Sequence, residues 1–348
     1  MPASSIPFPA DRPGLWLAPM QDVTTRPFWE VLQRRGGPDI YVTEYFRVHH
    51  GSHLRPHILD SIVRKPSGSM VMAQLIGNHV SDMVRIARAL QQYDILGIDL
   101  NLGCPAPVVC GKQCGGALLK HPELVRELVL RLRDEIDGAL TIKTRVGFES
   151  EHEFPELLAL FASLPIQALS IHGRTVHERY RSPVHTREIA DAVRAAPFPV
   201  LANGSMVCLD SSLAMLKQTG AAGLMIGRGA IRNPWIFEQI RQHFAGVPLF
   251  RPRCHDMLHY IEDLSDRIRS AGRSDDEVRH INYMKKFMNY VCVDLFDGAF
   301  WTLLRRCNTE AAFRDICHEF LDSPRILDFG TSPDSKVFCG VHELIAEA

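Results

Sequence analysis

Eight short apolar runs follow one another through the first 230 residues, and longer amphipathic stretches separate them. The runs are nearly continuous rather than strictly alternating, which is typical of parallel strands buried on both faces. They lie at residues 15–20, 40–45, 71–77, 96–101, 140–147, 168–175, 199–205 and 223–229. Eight strand–helix units predict an α/β fold of the (β/α)8 TIM barrel type, since a doubly wound sheet usually has fewer strands.

The stretches between the runs have the apolar spacing of helices. In residues 118–136 the apolar side chains share one face, and Pro122 is placed as an early-turn residue. Similar spacing occurs at 79–93, 151–163, 185–196 and 206–219. After residue 248 the pattern changes, because residues 255–322 show helical spacing only. We therefore predict two domains, a catalytic barrel over residues 1–245 and a smaller all-helical domain over residues 250–348.

Composition and charge indicate an ordinary globular protein, with 46% hydrophobic and 23% charged residues. The net charge is −1, and residues 1–250 (26 basic against 23 acidic) differ little from residues 251–348 (13 against 17). A polyanion would therefore have to bind at a local basic patch. No run approaches the roughly 20 apolar residues of a membrane span. The first residues lack the features of a secretory signal, so we predict a cytoplasmic protein without membrane contact.

Polar and glycine residues stand where most of the predicted strands end. Each one alone is more often an ordinary core or rim residue. The functional face of such a barrel lies at the C-terminal ends of its strands, so their occurrence at matching positions predicts a site there. The residues are Ala18, Pro19 and Met20; Gln74; Asn101; Lys143; His172; Asn203, Gly204 and Ser205; and Gly227 and Arg228.

The ends of the seventh and eighth strands indicate an anion site. Glycine-rich ends at these two strands are the usual phosphate site of TIM barrels, and Arg228 can add a charge-assisted contact. Lys143, among apolar residues, suits a partner that gains negative charge, although a buried salt bridge to Asp99 or Glu44 is an alternative. Together these residues predict a phosphorylated planar cofactor across the barrel mouth.

Three cysteines follow the fourth strand, at positions 104, 110 and 114. Their spacing does not match the CxxC-type pairs and four-ligand sets of structural zinc, so we predict no metal. A disulfide between Cys110 and Cys114 is disfavoured in a reducing compartment. Cys104 differs from the other two because it directly follows a strand between Gly103 and Pro105. Its thiol can act as a nucleophile or as a general acid, and no histidine–cysteine pair in the sequence supports the nucleophile.

Several of these segments together resemble the tRNA-dihydrouridine synthases. The similar segments are LAPM at 17–20, LNLGCP at 100–105, CGGALL at 114–119, IKTRVG at 142–147, IHGRT at 171–175, ANG at 202–204 and MIGRGAIRNPWIF at 225–237. The resemblance spans about residues 15–245, and the helical remainder agrees with the family's second domain. Two segments, TEYFRV at 43–48 and GGALLKHPEL at 115–124, are most similar to the C-type bacterial branch, which modifies a D-loop uridine.

The resemblance implies that the protein reduces the C5–C6 double bond of a uridine in tRNA, with FMN as cofactor and NADPH as reductant. Reduced flavin would deliver hydride from N5 to C6, and Cys104 would protonate C5 from the opposite face. Asn101 would hold the uracil or order the corner, while Arg47 and Arg145 match positions that contact RNA. The flavin positions are matched by Ala18, Pro19, Met20, Gln74, Lys143, His172, Asn203, Gly204, Ser205, Gly227 and Arg228.

The sequence departs from the family's pattern at two places. The family commonly has Asp after Asn-Gly, where this chain has Ser205, so the role of that residue is in question. Cys110 and Cys114 occupy positions usually held by polar or small residues, and we interpret them as variants of small side chains.

Two other functions fit part of the pattern. A flavin barrel oxidoreductase acting on a free pyrimidine or another small molecule would share the flavin residues but would not need the helical domain. An RNA-binding protein with lost flavin chemistry would not need Cys104 and Lys143. RNA contacts in the helical domain are predicted at Lys285–Lys286 and Arg305–Arg306, although such pairs are also common on solvated helices. No obligatory protein partner is implied.

Overall fold

The computed structural model describes residues 6–272 and 276–348, and its centre is a closed barrel of parallel strands. The strands are β1 Gly14–Leu17, β2 Ile40–Val42, β3 Phe46–Arg47, β4 Met70–Ile76, β5 Gly97–Asn101, β6 Ala139–Arg145, β7 Ala168–His172, β8 Val200–Asn203 and β9 Gly223–Ile226.

The barrel closes because β1 pairs with β9 on one side and with β2 on the other, while β2 also pairs with β4. Strand β3 is two residues long and pairs only with the end of β4, where Phe46 lies opposite Leu75. Eight strands therefore form the barrel. The (β/α)8 prediction is confirmed, and the predicted run 40–45 contributes only three residues to its strand.

The helices of the barrel lie outside the strands. Several have proline in the first turn, and in α1 and α2 the residue before the helix has an extended backbone. They are α1 Arg26–Gln33, α2 Pro56–Val63, α3 Val80–Leu90, α4 Pro107–Cys110, α5 Pro122–Glu135, α6 Phe154–Ala162, α7 Thr186–Ala195, α8 Leu209–Thr219, α9 Arg228–Arg232 and α10 Ile236–Ala245. The predicted helix 118–136 is a 3-10 helix, Gly115–Lys120, followed by α5. The break fits proline at the first position of α5, because its ring favours a new helix start.

In the described part of the chain after residue 250, helices are present without strands, apart from one isolated bridge between Arg253 and Ile326. The helices are α11 Cys254–Ser270, α12 Glu277–Val291, α13 Ala299–Leu304, α14 Glu310–Leu321 and α15 Val341–Ala346. The region shares a core with the barrel, since the ring centroids of Phe28 in α1 and Phe287 in α12 are 5.5 Å apart. Arg267 of α11 also pairs with Glu30 of α1. After α14 the chain returns to the barrel, where Gln218 of α8 donates to the carbonyl of Leu344 at 2.7 Å.

Among the described helices, none combines the length and apolar character needed to cross a membrane.

Candidate functional site

A cavity of about 670 Å³ opens at the C-terminal ends of the strands. Its volume is in the ordinary range of cofactor and ligand sites. Most of the residues predicted from the strand ends lie in its wall, and the exceptions are Gln74 and Arg47. Those in the wall are Ala18, Pro19, Met20, Asn101, Cys104, Lys143, Arg145, His172, Asn203, Gly204, Ser205, Gly227 and Arg228.

Cys104 lies on this wall as a half-buried free thiol, directly after β5. The side chain of Asn101 fixes the corner, because its Oδ1 accepts the backbone N–H of Gly103 at 3.1 Å and of Cys104 at 2.9 Å. The carbonyl of Cys104 accepts the backbone N–H of Gly116 at 3.0 Å and the thiol of Cys110 at 3.4 Å. The backbone around Cys104 is thus held on both sides.

A buried chain of hydrogen bonds supports that corner from behind. Asn101 Nδ2 donates to Gln74 Oε1 at 2.9 Å, and Gln74 Nε2 donates to Asp99 Oδ2 at 2.7 Å. Asp99 also accepts the Thr141 hydroxyl at 2.6 Å, and burial raises the pKa of its carboxyl group. Gln74 therefore lies beneath the cavity wall, where it orients Asn101, and its role as a flavin residue stays a prediction.

Lys143 on β6 carries its ammonium group into the barrel mouth. Its Nζ donates to Asn203 Oδ1 at 3.1 Å, and Asn203 Nδ2 donates to the carbonyl of Met225 at 2.6 Å. Burial, with a smaller contribution from Arg145, lowers the pKa of Lys143 to about 8. Asp99 acts in the opposite direction and raises this pKa, while its carboxylate oxygens accept bonds from Gln74 and Thr141. The alternative of a buried salt bridge to Asp99 or Glu44 stays a prediction.

Arg145 is almost completely buried, with 2% of its surface exposed. Its guanidinium donates to the backbone carbonyls of Gly103, Thr175 and Arg179, each at 2.8 Å. Burial lowers its pKa. Its bonds thus connect the Cys104 corner to the loop after β7. Arg47, the other predicted RNA contact, lies beside the mouth, with its guanidinium carbon 5.9 Å from the ring of Tyr45, which lines the cavity.

Polar groups without partners in the described chain lie in and behind the wall at the opposite end of the cavity. The pKa of His172 is held well below its ordinary value by burial first and by Arg145 next, so the imidazole is neutral. Its Nδ1 is buried and unpartnered within the described chain, and so is Nη1 of Arg174. Arg174 is fully buried, its other nitrogen Nη2 donates to Ser205 Oγ at 2.8 Å, and burial lowers its pKa to about 9.

Two glycine corners complete this end, after β8 and after β9. Gly204 has φ +129°, where glycine is strongly favoured, and an added Cβ would lie 2.7 Å from Val184. Ser205 follows with φ +53°. Above Gly227, the guanidinium carbon of Arg228 lies 4.7 Å from the ring of Tyr180. Unpartnered buried donors, an excess of cations and two open backbone corners fit a phosphorylated planar cofactor.

Sequence reasoning missed several residues of the wall. Tyr180 lies on the loop after β7, and its ring packs edge-on against His172 with centroids 5.8 Å apart. Asn289 and Tyr290 come from α12, and the segment Lys336–Phe338 comes from beyond α14. Arg174, which is buried behind the wall, had a signal in the sequence, because it belongs to the IHGRT segment. The others had none, because loops and distant helices reach the mouth only through the tertiary fold.

A family model and individual relatives of known name indicate the same protein family. A family model described as dihydrouridine synthase (Dus) matches residues 16–322. A relative from Neisseria meningitidis serogroup A, named tRNA-dihydrouridine(16) synthase, is 32% identical over 249 residues, which cover 69% of this chain and 75% of that protein. A relative from Pseudomonas syringae pv. tomato, named tRNA-dihydrouridine synthase B, is 33% identical over 234 residues, which cover 66% of this chain and 68% of that protein.

Solved structures are similar in fold only. Histamine dehydrogenase from Rhizobium sp. 4-9 superposes with a TM-score of 0.51 at 14% identity, over 73% of this chain and 48% of that one. Identity this low supports the barrel architecture and carries no argument about the reaction.

Proposed function

The chain belongs to the dihydrouridine synthase family, and we propose that it carries out the family's reaction in the cavity at the barrel mouth. It is a flavin-dependent tRNA-dihydrouridine synthase that reduces the C5–C6 double bond of a uridine in tRNA, with FMN as cofactor and NADPH as reductant. The residue roles that follow are part of the proposal.

The flavin position is assigned to the end of the cavity that carries the cations. Gly204, Ser205, Gly227 and Arg228 would hold the phosphate, and Lys143 would face the part of the ring system that becomes negative on reduction. The unpartnered Nδ1 of His172 supports a polar ligand at this end. When bound and reduced by NADPH, FMN supplies the hydride that adds to C6 of the uracil.

Cys104 is proposed as the general acid. Its thiol donates a proton to C5 as C6 receives the hydride, so that the two hydrogens complete the reduction of the double bond, and solvent then restores the thiol proton. Asn101 acts on this step as a positioning residue, because its two accepted N–H bonds fix the backbone that carries the sulfur. Arg145 fixes the same corner through Gly103.

The observation that carries the proposal is the shared cavity. A free thiol on one wall and a lysine with a lowered pKa on another face the same space, and the glycine corners close one end of it. This arrangement provides an acid and an anion site within one chamber, which is what proton-coupled reduction of a bound pyrimidine requires.

The substrate is tRNA, and its uridine has to leave the base stack to reach a cavity of this depth. Asn289 and Tyr290 of α12 lie in the cavity wall, which supports a role for the helical region in holding the RNA. We propose Arg47, Lys285–Lys286 and Arg305–Arg306 as RNA contacts. We also propose a barrel domain over residues 1–245 and a helical domain over 250–348, with the enzyme located beside its tRNA in the cytoplasm.

The choice of uridine is a finer question. The similarity of TEYFRV to the C-type branch still predicts a D-loop uridine, and the relatives carry both a position-16 name and a B-type name. Mapping the modified position in tRNA from cells that lack this protein identifies the uridine directly.

The proposal is tested with Cys104→Ala. General acids contribute about 10²- to 10⁴-fold to rate, so we expect reduction of unmodified tRNA to fall by about that factor while the purified protein keeps its flavin. Dihydrouridine formed per enzyme is measured by mass spectrometry of digested tRNA, and flavin content is measured by absorbance.

Cys110→Ala is the matched control, because its thiol lies on the same loop and bonds the carbonyl of Cys104 without serving as the acid. We expect it to keep most of the activity. Full activity in the Cys104 variant would remove the acid assignment. Equally fast reduction of free uridine would instead indicate a small-molecule enzyme.

A further inference from the structure

A segment between α14 and α15, residues 329–340, crosses the cationic end of the cavity. Lys336, Val337 and Phe338 are in the cavity wall, although they lie beyond residue 322, where the match to the family model ends. We call residues 329–340 the strap. It is anchored on both sides, since α14 precedes it and α15 follows it against α8.

Three arginines from the barrel hold the strap by its main chain. Arg174 Nη2 donates to the carbonyl of Cys339 at 2.7 Å, and Arg228 Nη1 donates to that of Val337. Arg232 donates to the carbonyls of Phe329 at 3.2 Å and Gly330 at 2.7 Å. Ser205 Oγ adds a bond to Cys339 at 3.0 Å, so the residue that departs from the family's pattern contacts the strap.

These contacts leave positive charge unbalanced. In the described chain none of the three guanidinium groups is ion-paired with a carboxylate, and carbonyl oxygens accept hydrogen bonds without neutralising a full charge. Nη1 of the fully buried Arg174 has no partner at all among the described residues, and Gly204 of the cavity wall lies next to it. Burying several like charges is costly unless an anion joins them.

The strap also adds a cation of its own. Lys336 is exposed, lies in the cavity wall, and precedes the residue whose carbonyl binds Arg228. Its side chain is therefore free to reach an anion seated between the two glycine corners. Phe338 is buried, with its ring centroid 5.9 Å from the guanidinium carbon of Arg228 and 5.2 Å from that of Arg232, so it helps to hold the arginines in place.

We propose that the strap completes the phosphate site of the flavin: its carbonyls hold Arg174 and Arg228 toward the cavity, and Lys336 contacts the phosphate directly. This inference rests on the flavin position proposed above. It assigns a cofactor contact to a part of the chain that the family match does not reach.

The first test separates the phosphate from the rest of the flavin. Affinities of the apoprotein for FMN and for riboflavin, which lacks the phosphate, are measured by quenching of flavin fluorescence. In Lys336→Gln we expect the Kd for FMN to be about tenfold higher, because one charge-assisted contact is lost, and the Kd for riboflavin to be unchanged. Lys217→Gln is the control, because Lys217 is an exposed lysine of α8 that does not line the cavity.

The second test displaces the strap without changing the barrel. Gly340 has φ +78°, and an added Cβ would lie 2.7 Å from Pro183 Cα and 3.1 Å from Arg174 Nη2. Gly340→Ala should therefore lift the strap from Arg174 and speed FMN dissociation by about tenfold. Gly246→Ala is the control, because its φ is +66° and nothing lies within 4 Å of the added Cβ.

Hydrogen exchange then decides whether the strap completes the site or blocks it. FMN added to the wild-type apoprotein should slow amide exchange of residues 329–340. Faster exchange in that segment would overturn the proposal. Equal losses of FMN and riboflavin affinity in Lys336→Gln would also overturn it. So would a Gly340→Ala variant that releases FMN no faster than Gly246→Ala does. If the wild type bound no FMN, the proposed flavin function itself would fail, which is a separate outcome.

Discussion

The charge of Lys143 depends on its burial in the barrel mouth. Burial removes water from its ammonium group and lowers its pKa from the ordinary 10.5 to about 8. The folded protein without ligand therefore loses this proton at a lower pH than the unfolded chain does. Between these two pKa values the unfolded state binds more protons, so this group makes the stability of the apoprotein rise with pH in that window.

Flavin binding should depend on the same proton. The phosphate of FMN brings negative charge into the cavity that Lys143 lines, so the protonated form of this lysine is expected to bind FMN much better than the neutral form. With a pKa of about 8 in the free protein, the apparent Kd for FMN should rise about tenfold between pH 7 and pH 9. Fluorescence titration of the apoprotein at a series of pH values measures this change.

Lys143→Met supplies the control, because it keeps the length of the side chain and removes the titrating group. We expect its affinity for FMN to be weaker at pH 7 and nearly constant up to pH 9. An equally steep pH dependence in this variant would assign the effect to another group and remove Lys143 from the flavin contact.

The sequence could place residues at strand ends but not decide what they touch. Cys104 and Lys143 were found because polar residues recur at matching positions of several strand ends, where a barrel carries its functional face. Gln74 has the same sequence signal, yet its amide is used by Asp99 and Asn101 beneath the wall. Whether a strand residue faces the cavity or supports it depends on its neighbours across the sheet, and these are distant in sequence.

At the scale of elements, apolar continuity predicted the barrel well because buried parallel strands require it. Strand boundaries were less accurate where pairing across the sheet, rather than local sequence, decides where a strand ends. The run at 40–45 ends as a strand at Val42 and resumes as β3 at Phe46–Arg47. Such breaks follow from pairing with β4, and no property of the run itself specifies them.

One glycine shows how closely two strands approach. A Cβ at Gly97 would lie 2.0 Å from the carbonyl oxygen of Ala139, its partner on β6. Gly97→Ala should push β5 away from β6 at the N-terminal ends of these strands, with a loss of about 3 kcal/mol in the free energy of unfolding. Urea denaturation followed by circular dichroism measures the loss.

The control for this variant is Gly68→Ala, which lies in open space at φ +77° and tests backbone strain alone. Its destabilisation should be about 1 kcal/mol. If Gly97→Ala were no less stable than this control, the two strands would be able to adjust, and the close approach would not constrain the barrel.

At the scale of the whole molecule, the change of pattern near residue 248 predicted the helical region but not how it meets the barrel. Arg174 and Cys339 are 165 positions apart in the chain, and no local pattern connects them. The same limit applies to α12, whose Asn289 and Tyr290 enter the cavity wall. A net charge of −1 likewise hides the cations gathered at the mouth.

The helical region should bind RNA through a few cations, because the chain as a whole is nearly neutral. Lys286 is a candidate because its side chain is partly exposed close to the cavity. Its Nζ lies 3.3 Å from Oδ2 of Asp22, and Asp22 follows the wall residues Met20 and Gln21 in the chain. Replacing Lys285 and Lys286 with Ala should weaken tRNA binding and reduce the slope of log Kd against log salt by about one to two. Filter binding at several salt concentrations measures the slope.

The decisive comparison is with a second double variant, Lys65→Ala with Lys217→Ala, which also removes two charges but lies outside α12. Losing two charges anywhere changes the long-range field of the protein, whereas counterion release requires direct contact with phosphate. A reduced slope in the first variant alone, with flavin content unchanged, would therefore locate RNA phosphates over α12. Equal slopes in the two variants would mean that Lys285 and Lys286 face solvent and that the tRNA lies elsewhere on the molecule.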